Sequence, residues 1–179
     1  MLTVDKAAVV LIDVQGKLAS LMFERDRLYQ NLQILLQGAR ILELPILWLE
    51  QYPKGLGPTV PQIAGILDGL EPIAKTSFSA CGEPRFIEAL AATGRRQAIV
   101  AGIESHVCVY QTTRDLLASG HEVEIIADAV SSRTEANCRL GLKRMESMGA
   151  SMSSVEMCLF ELLREAGSEQ FKQISRLVR

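Results

Sequence analysis

Short apolar runs alternate with longer amphipathic segments along most of the chain, and this change of period predicts its elements. Ala7–Ile12 is short, rich in Val and Ile and lacks alternation, which predicts a strand buried on both faces. From Arg25 to Leu42, Leu28, Leu32, Leu35, Leu36, Ala39 and Leu42 recur near one face, with Gln30, Gln33, Gln37 and Arg40 at polar positions. That spacing predicts an amphipathic helix. Pro45–Leu49 follows as a second strand. Gln51 to Pro61 carries three prolines and two glycines and predicts an irregular loop.

Downstream, Val60–Leu67 predicts a short helix and Pro72–Lys75 a weaker strand, and Pro84 sits in the first turn of a helix reaching Ala92. Gln97–Ile103 predicts a strand that runs into a helix near His106–Ala118. Val123–Ala127 is a fifth strand, and Ser132 opens a helix that continues to about Met148. A brief strand at Ala150–Ser153 precedes helices at Val155–Leu163 and Glu169–Leu177. Strands alternating with helices favour a parallel sheet covered on both faces, joined by right-handed crossovers. The expected fold is α/β: a single three-layer α/β/α domain spanning 1–179, with a mostly parallel, Rossmann-like sheet of about six strands. No linker, composition break or solenoid repeat divides it.

Composition narrows the function classes. The 179 residues are 48% hydrophobic, and 19 basic against 21 acidic residues leave a net charge of −2. That balance argues against an extended electrostatic grip on nucleic acid or an anionic membrane. No apolar stretch approaches the ~18 residues of a membrane span, and the residues before Ala7 do not have the pattern of a signal peptide. Cys81, Cys108, Cys138 and Cys158 are separated by 27, 30 and 20 positions, which fits neither a close-pair zinc pattern nor a small disulfide framework. A reducing cytoplasm is expected, with Cys81, Cys138 and Cys158 as structural thiols. Met145, Met148, Met152 and Met157 read as flexible core filling, and His121 as a loop residue.

In an open parallel sheet, ligands occupy the crevice outside the carboxyl ends of the strands. Asp13, Glu50, Lys75, Ile103–Cys108 and Asp128 end or follow the five principal predicted strands. Asp13, in VVLIDVQG, suits a base, a metal ligand or a nucleophile, and equally a helix cap or loop ion pair. An aspartate-nucleophile phosphatase normally has a second Asp two positions on, where this chain has Gln15. Cys108, in AGIESHVCVYQTTRDLL, lies near a predicted helix start, where unpaired N–H groups favour thiolate and can hold an oxyanion. An ordinary buried cysteine at a tight strand–helix junction fits the same sequence. Lys75, in EPIAKTSFSAC, is either the cation beside that thiol and carboxylate or a solvent-facing lysine.

The ordered set VVLIDVQG, KTSFSAC and GIESHVCV resembles the isochorismatase-like cysteine hydrolase superfamily, which includes the nicotinamidases, over almost the whole chain. It is most similar to the small isochorismatase-domain proteins that carry EQYPKGLGPTVPQI after the second strand. The resemblance implies Asp13 as general base, Lys75 as electrostatic and orienting partner and Cys108 as nucleophile. It also implies a cis peptide between Ile103 and Glu104, aiming the Glu104 N–H into an oxyanion hole with that of Cys108. The implied reaction is hydrolysis of a small amide or related acyl substrate through a thioester. A homo-oligomer is implied too, dimer or tetramer first and larger rings after. The stretch LEQYPKGLGP lacks the histidines with which nicotinamidases hold a metal, so no metal and no cofactor are expected.

Gln15, Tyr52, Phe78 and His106 are candidate substrate contacts. Each has a plainer reading: a strand-end tie for Gln15, ordinary packing for the two rings, local backbone or solvent for His106. The cation and helix end are expected to bring the Cys108 thiol below its ordinary pKa of about 8.5. Two other functions fit the same scaffold, an isochorismatase-type vinyl ether hydrolase and a noncatalytic interaction or small-molecule-binding protein.

Overall fold

A computed structural model describes residues 1–179. In chain order the elements are β1 (Ala7–Ile12), α1 (Gly16–Ser20), α2 (Arg25–Ile41), β2 (Ile46–Gln51), α3 (Pro53–Leu56), α4 (Pro61–Ala64) and β3 (Ile73–Lys75). A 3-10 turn (Ala80–Gly82) leads to α5 (Pro84–Thr93) and β4 (Gln97–Ile103), and a π-helical turn (Ser105–Val109) leads to α6 (Tyr110–Ala118). The chain ends with β5 (Glu122–Ser131), α7 (Glu135–Ser147), β6 (Ser151–Ser153), α8 (Val155–Leu163) and α9 (Glu169–Leu177). The six strands form one sheet in the order β3-β2-β1-β4-β5-β6, parallel throughout.

β1 is buried along its whole length because both faces of the sheet are covered, as its unalternating apolar run requires. Val9 and Leu11 enter one core with Leu28, Leu32, Leu35 and Leu36 of α2 and Leu159 of α8. Val10 and Ile12 enter the opposite core with Phe86 and Leu90 of α5, Leu116 of α6 and Met145 of α7. Each fully buried leucine of α2 contributes roughly 1.5–3 kcal/mol over its exposed state, so the six-residue stripe suffices to fix the helix on the sheet. No helix is long and apolar enough to cross a membrane.

Several boundaries differ from the sequence expectation, each for a physical reason. β2 runs on to Gln51 because Glu50 and Gln51 pair with Ala74 and Lys75 of β3. The Pro-rich stretch after it is punctuated by the short α3 and α4, each opening on proline. β5 extends to Ser131, with a register shift opposite Val100 and Gly102 that lets Ile103 pair with Ser131. Asp128 therefore lies inside a strand, where its Oδ1 accepts the Val155 N–H at the start of α8 (2.9 Å). α7 begins at Glu135, capped by Thr134, whose Oγ1 accepts the Asn137 N–H; Ser132 faces Ser105 and His106 instead. Met145 is fully buried, but Met157 is 62% exposed and fills no core.

Candidate active site

The sheet register sets the chemistry. Ile12 pairs with Leu49 on one side and Gly102 on the other, so Asp13, Glu50 and the Ile103–Glu104 peptide emerge at one height. Gly102 has a φ of +117° and its Cα lies against Ile12: a Cβ there would sit 2.1 Å from the Ile12 oxygen, so only glycine allows β4 this close. The Ile103–Glu104 peptide is cis. The Glu104 N–H donates to no backbone carbonyl, whereas the Glu104 oxygen accepts from the N–H groups of Val107 and Val109 (3.0 and 3.2 Å) and so closes the turn that carries Cys108.

Asp13, Lys75 and Cys108 meet here. Lys75, whose side chain is wholly buried, donates from Nζ to Asp13 Oδ2 at 2.7 Å. Nζ also reaches Gln51 Oε1 (2.6 Å) and the Ser77 and Phe78 carbonyls (3.2 and 3.1 Å). The solvent-facing alternative for Lys75 is thereby excluded. Burial raises the Asp13 carboxyl above its ordinary range, against the opposing charge and hydrogen bond of Lys75. Oδ1 of Asp13 is buried and has no partner of full hydrogen-bonding geometry, and the Cys108 thiol is the neighbouring group that interacts with this carboxylate.

The expected acidic thiol is not what the structure shows. Cys108 sits inside the π-helical turn, buried, and the helix proper begins two residues later. Burial pushes its pKa up to about 12, reinforced by the Asp13 charge and only partly opposed by Lys75. The resting pair is accordingly a neutral thiol beside a carboxylate that can accept its proton. Cys81, pushed up to about 11, and the buried Cys138 and Cys158 are likewise protonated free thiols.

The remaining candidates divide by position. Tyr52 and Phe78 are a little over half exposed and flank Lys75: the Tyr52 N–H donates to the Lys75 oxygen (2.8 Å), and the Phe78 carbonyl accepts from Nζ. Gln15 is fully buried, and all three of its amide bonds go to backbone. Nε2 donates to the Gln51 and Gly57 carbonyls (3.1 and 2.7 Å), and Oε1 accepts the Gln51 N–H (2.6 Å). Its geometry is that of a strand-end tie. His106 Nδ1 lies 2.9 Å from Ser132 Oγ, which also contacts Ser105 Oγ at 2.7 Å. Glu104 Oε1 accepts from Arg133 N and Nε (3.2 and 3.0 Å), and Glu50 Oε1 accepts from Thr59 N and Oγ1 (2.6 and 2.7 Å).

α7 clamps the turn from behind. A Cβ on Gly141 would sit 2.7 Å from the Ser105 carbonyl and 2.9 Å from the His106 nitrogen, so the close approach of α7 needs glycine. A cavity of about 410 Å³ between α2, β5 and α7 includes none of Asp13, Lys75 and Cys108, so the candidate site rests on the convergence of these three groups and not on that cavity. Gln51, which also contacts the ammonium, is not predicted from the sequence, because the apolar pattern ends β2 two residues early. The signal available was the register: a third β3 pair puts residue 51 beside residue 75.

The chain is 38% identical to isochorismatase domain-containing protein 2 of Danio rerio over 177 residues, covering 99% of this chain and 89% of the relative. It superposes on the MAR1 ribonuclease of Caenorhabditis elegans with a TM-score of 0.93 at 36% identity, covering 99% and 91% of the two chains. It also matches the Escherichia coli YcaC gene product, described as an octameric hydrolase of unknown specificity, with a TM-score of 0.87 at 29% identity over 92% and 82%. Residues 7–157 match the Isochorismatase domain, and the chain belongs to that family.

Proposed function

We propose that this protein is a metal-independent cysteine hydrolase of a small amide or related acyl substrate, with Cys108 as nucleophile, Asp13 as proton carrier and Lys75 as its electrostatic partner. The observation that carries the reading is the Asp13 carboxylate, held by Lys75 at 2.7 Å and interacting with a thiol that is protonated at rest. Cys108 Sγ attacks the carbonyl as Asp13 takes its proton. The Lys75 ammonium offsets the negative charge passing to sulfur, and the oxyanion is received by the N–H groups of Glu104, which donates to no backbone carbonyl, and Cys108. Asp13 returns the proton to the leaving amine, giving a thioester on Cys108. Water then attacks that thioester, Asp13 taking its proton and returning it to the thiol as the acid departs.

Phosphodiester chemistry suits these groups poorly. Glu50 presses negative charge on Asp13, and Asp13 and Glu104 press it on Cys108, against the one buried ammonium. The ribonuclease description of the Caenorhabditis elegans neighbour is therefore not carried over. A reducing compartment such as the cytoplasm suits a reaction that needs a free thiol. The octameric YcaC neighbour supports a homo-oligomer here. Native mass spectrometry should find oligomers in preference to monomer, and a monomeric spectrum at working concentration counts against this part of the proposal.

An amide and ester panel assayed with wild type, Asp13→Ala, Lys75→Ala and Cys108→Ala tests the reaction. The expected result is a substrate hydrolysed by wild type alone, with its acyl group trapped on Cys108 after acid quench and peptide mass spectrometry. A substrate cleaved without any acyl adduct, and equally well by Cys108→Ala, would remove the thioester route.

A further inference from the structure

Four acceptors surround the three donors of Lys75, and the shortest contact is to Gln51 (2.6 Å), not to Asp13. Gln51 is itself held on three sides. Its Nε2 donates to the Thr76 carbonyl (2.7 Å), which fixes the amide so that Oε1 must be the atom facing the ammonium. Its N–H and carbonyl are both gripped by the fully buried Gln15. A continuous chain of contacts thus runs from Gln15 through Gln51 and Lys75 to Asp13 and Cys108.

We infer that Gln51 is a positioning residue: its neutral amide oxygen keeps the Lys75 ammonium centred between Asp13 and the thiol while the proton moves. This rests on the hydrolase reading and adds to it a group that touches no substrate. When Asp13 takes the Cys108 proton it loses its charge, and the ammonium then needs another strong acceptor to stay in place. Gln51 supplies one without a second negative charge. A carboxylate at this position would divide the ammonium between two anions and raise the cost of ionising both Asp13 and Cys108. The charged groups already facing this pair are Lys75 on β3, Glu50 on β2 and Glu104 after β4, the last itself paired with Arg133.

The probe is p-nitrophenyl acetate. Its acetyl carbon bonds to Cys108 Sγ, its ester C–O bond breaks, and p-nitrophenol departs with the proton that left the thiol. Acetylation of Cys108 is followed by mass spectrometry from pH 5 to 9 in wild type, Gln51→Glu and Gln51→Met, the last preserving side-chain length. Gln51→Glu is expected to move the acetylation profile up by about one pH unit. Gln51→Met should slow acetylation by about tenfold or more, since the loss lets the catalytic charge shift and a displacement of about 1 Å can cost up to about 100-fold. Thermal melts and iodoacetamide labelling of the fully buried Cys158 monitor the fold. A purely structural Gln51 would lower the melting temperature and expose Cys158 while leaving the acetylation profile in place. If wild-type Cys108 is acetylated and either variant keeps its rate and profile, the role of Gln51 is overturned and the hydrolase reading stands. If wild-type Cys108 is never acetylated, both fall.

Discussion

Replacing Cys108 with alanine is expected to abolish acyl transfer, with kcat falling by more than about 10⁴-fold, while the protein stays folded. Groups that act as one unit lose nearly all their joint effect when the nucleophile goes, which sets the size of the drop. The structural cost is small by comparison. The side chain is compact, and it leaves behind one Asp13 oxygen that already lacks a well-formed partner. A loss of about 1 kcal/mol or less is expected by denaturant titration. Cys108→Ser should be as inactive as the alanine variant. A carboxylate that can take a proton from a thiol pushed up to about 12 faces a far weaker acid in a serine hydroxyl. Serine turnover within tenfold of wild type would show that the sulfur does not form the bond.

The resting protonation of Cys108 is also where the sequence was least informative. Position near a helix start and beside a lysine predicts an acidic thiol; the fold inserts a π-helical turn and buries the sulfur, and burial outweighs both effects. No periodicity in SHVCV marks an i to i+5 turn. The elements themselves were largely legible. Gln97–Ile103, Val155–Leu163 and Glu169–Leu177 appear with the bounds their apolar patterns predict: the strand is buried at every position, and the two helices lay their apolar residues against α2 and each other. Strand ends were harder. The Pro-rich sequence after Leu49 masked the last β2 pairs and hid Gln51, and the β4–β5 register shift lengthened β5 past Asp128. Asp13, Lys75 and Cys108 could be named from their motifs, yet their contact depends on three separate strands ending at one height, which spacing along a chain does not encode.

Lys75→Met carries the largest expected effect on stability, about 3–5 kcal/mol at neutral pH, the cost of leaving one member of a buried ion pair unpaired. The pH dependence identifies the cause. In the wild type the folded-state pKa of Asp13 already lies above its ordinary 3.8, because burial outweighs the pull of Lys75. The native state therefore holds the proton more tightly than the unfolded chain. This contribution is fully present below the unfolded value and is lost as pH rises through the folded one. Removing Lys75 takes away the two strongest influences that hold the Asp13 pKa down, so the same decline must extend to higher pH. Urea titrations should show Lys75→Met much closer to wild type at pH 4.5 than at pH 7.5. Adding Asp13→Asn should restore most of the pH 7.5 loss, since the double variant no longer buries a lone carboxylate. The same double variant remains inactive, which separates the stability role of the pair from its chemistry. An equal loss at both pH values, unrelieved by Asp13→Asn, would mean that Lys75 acts through packing and not through its charge on Asp13.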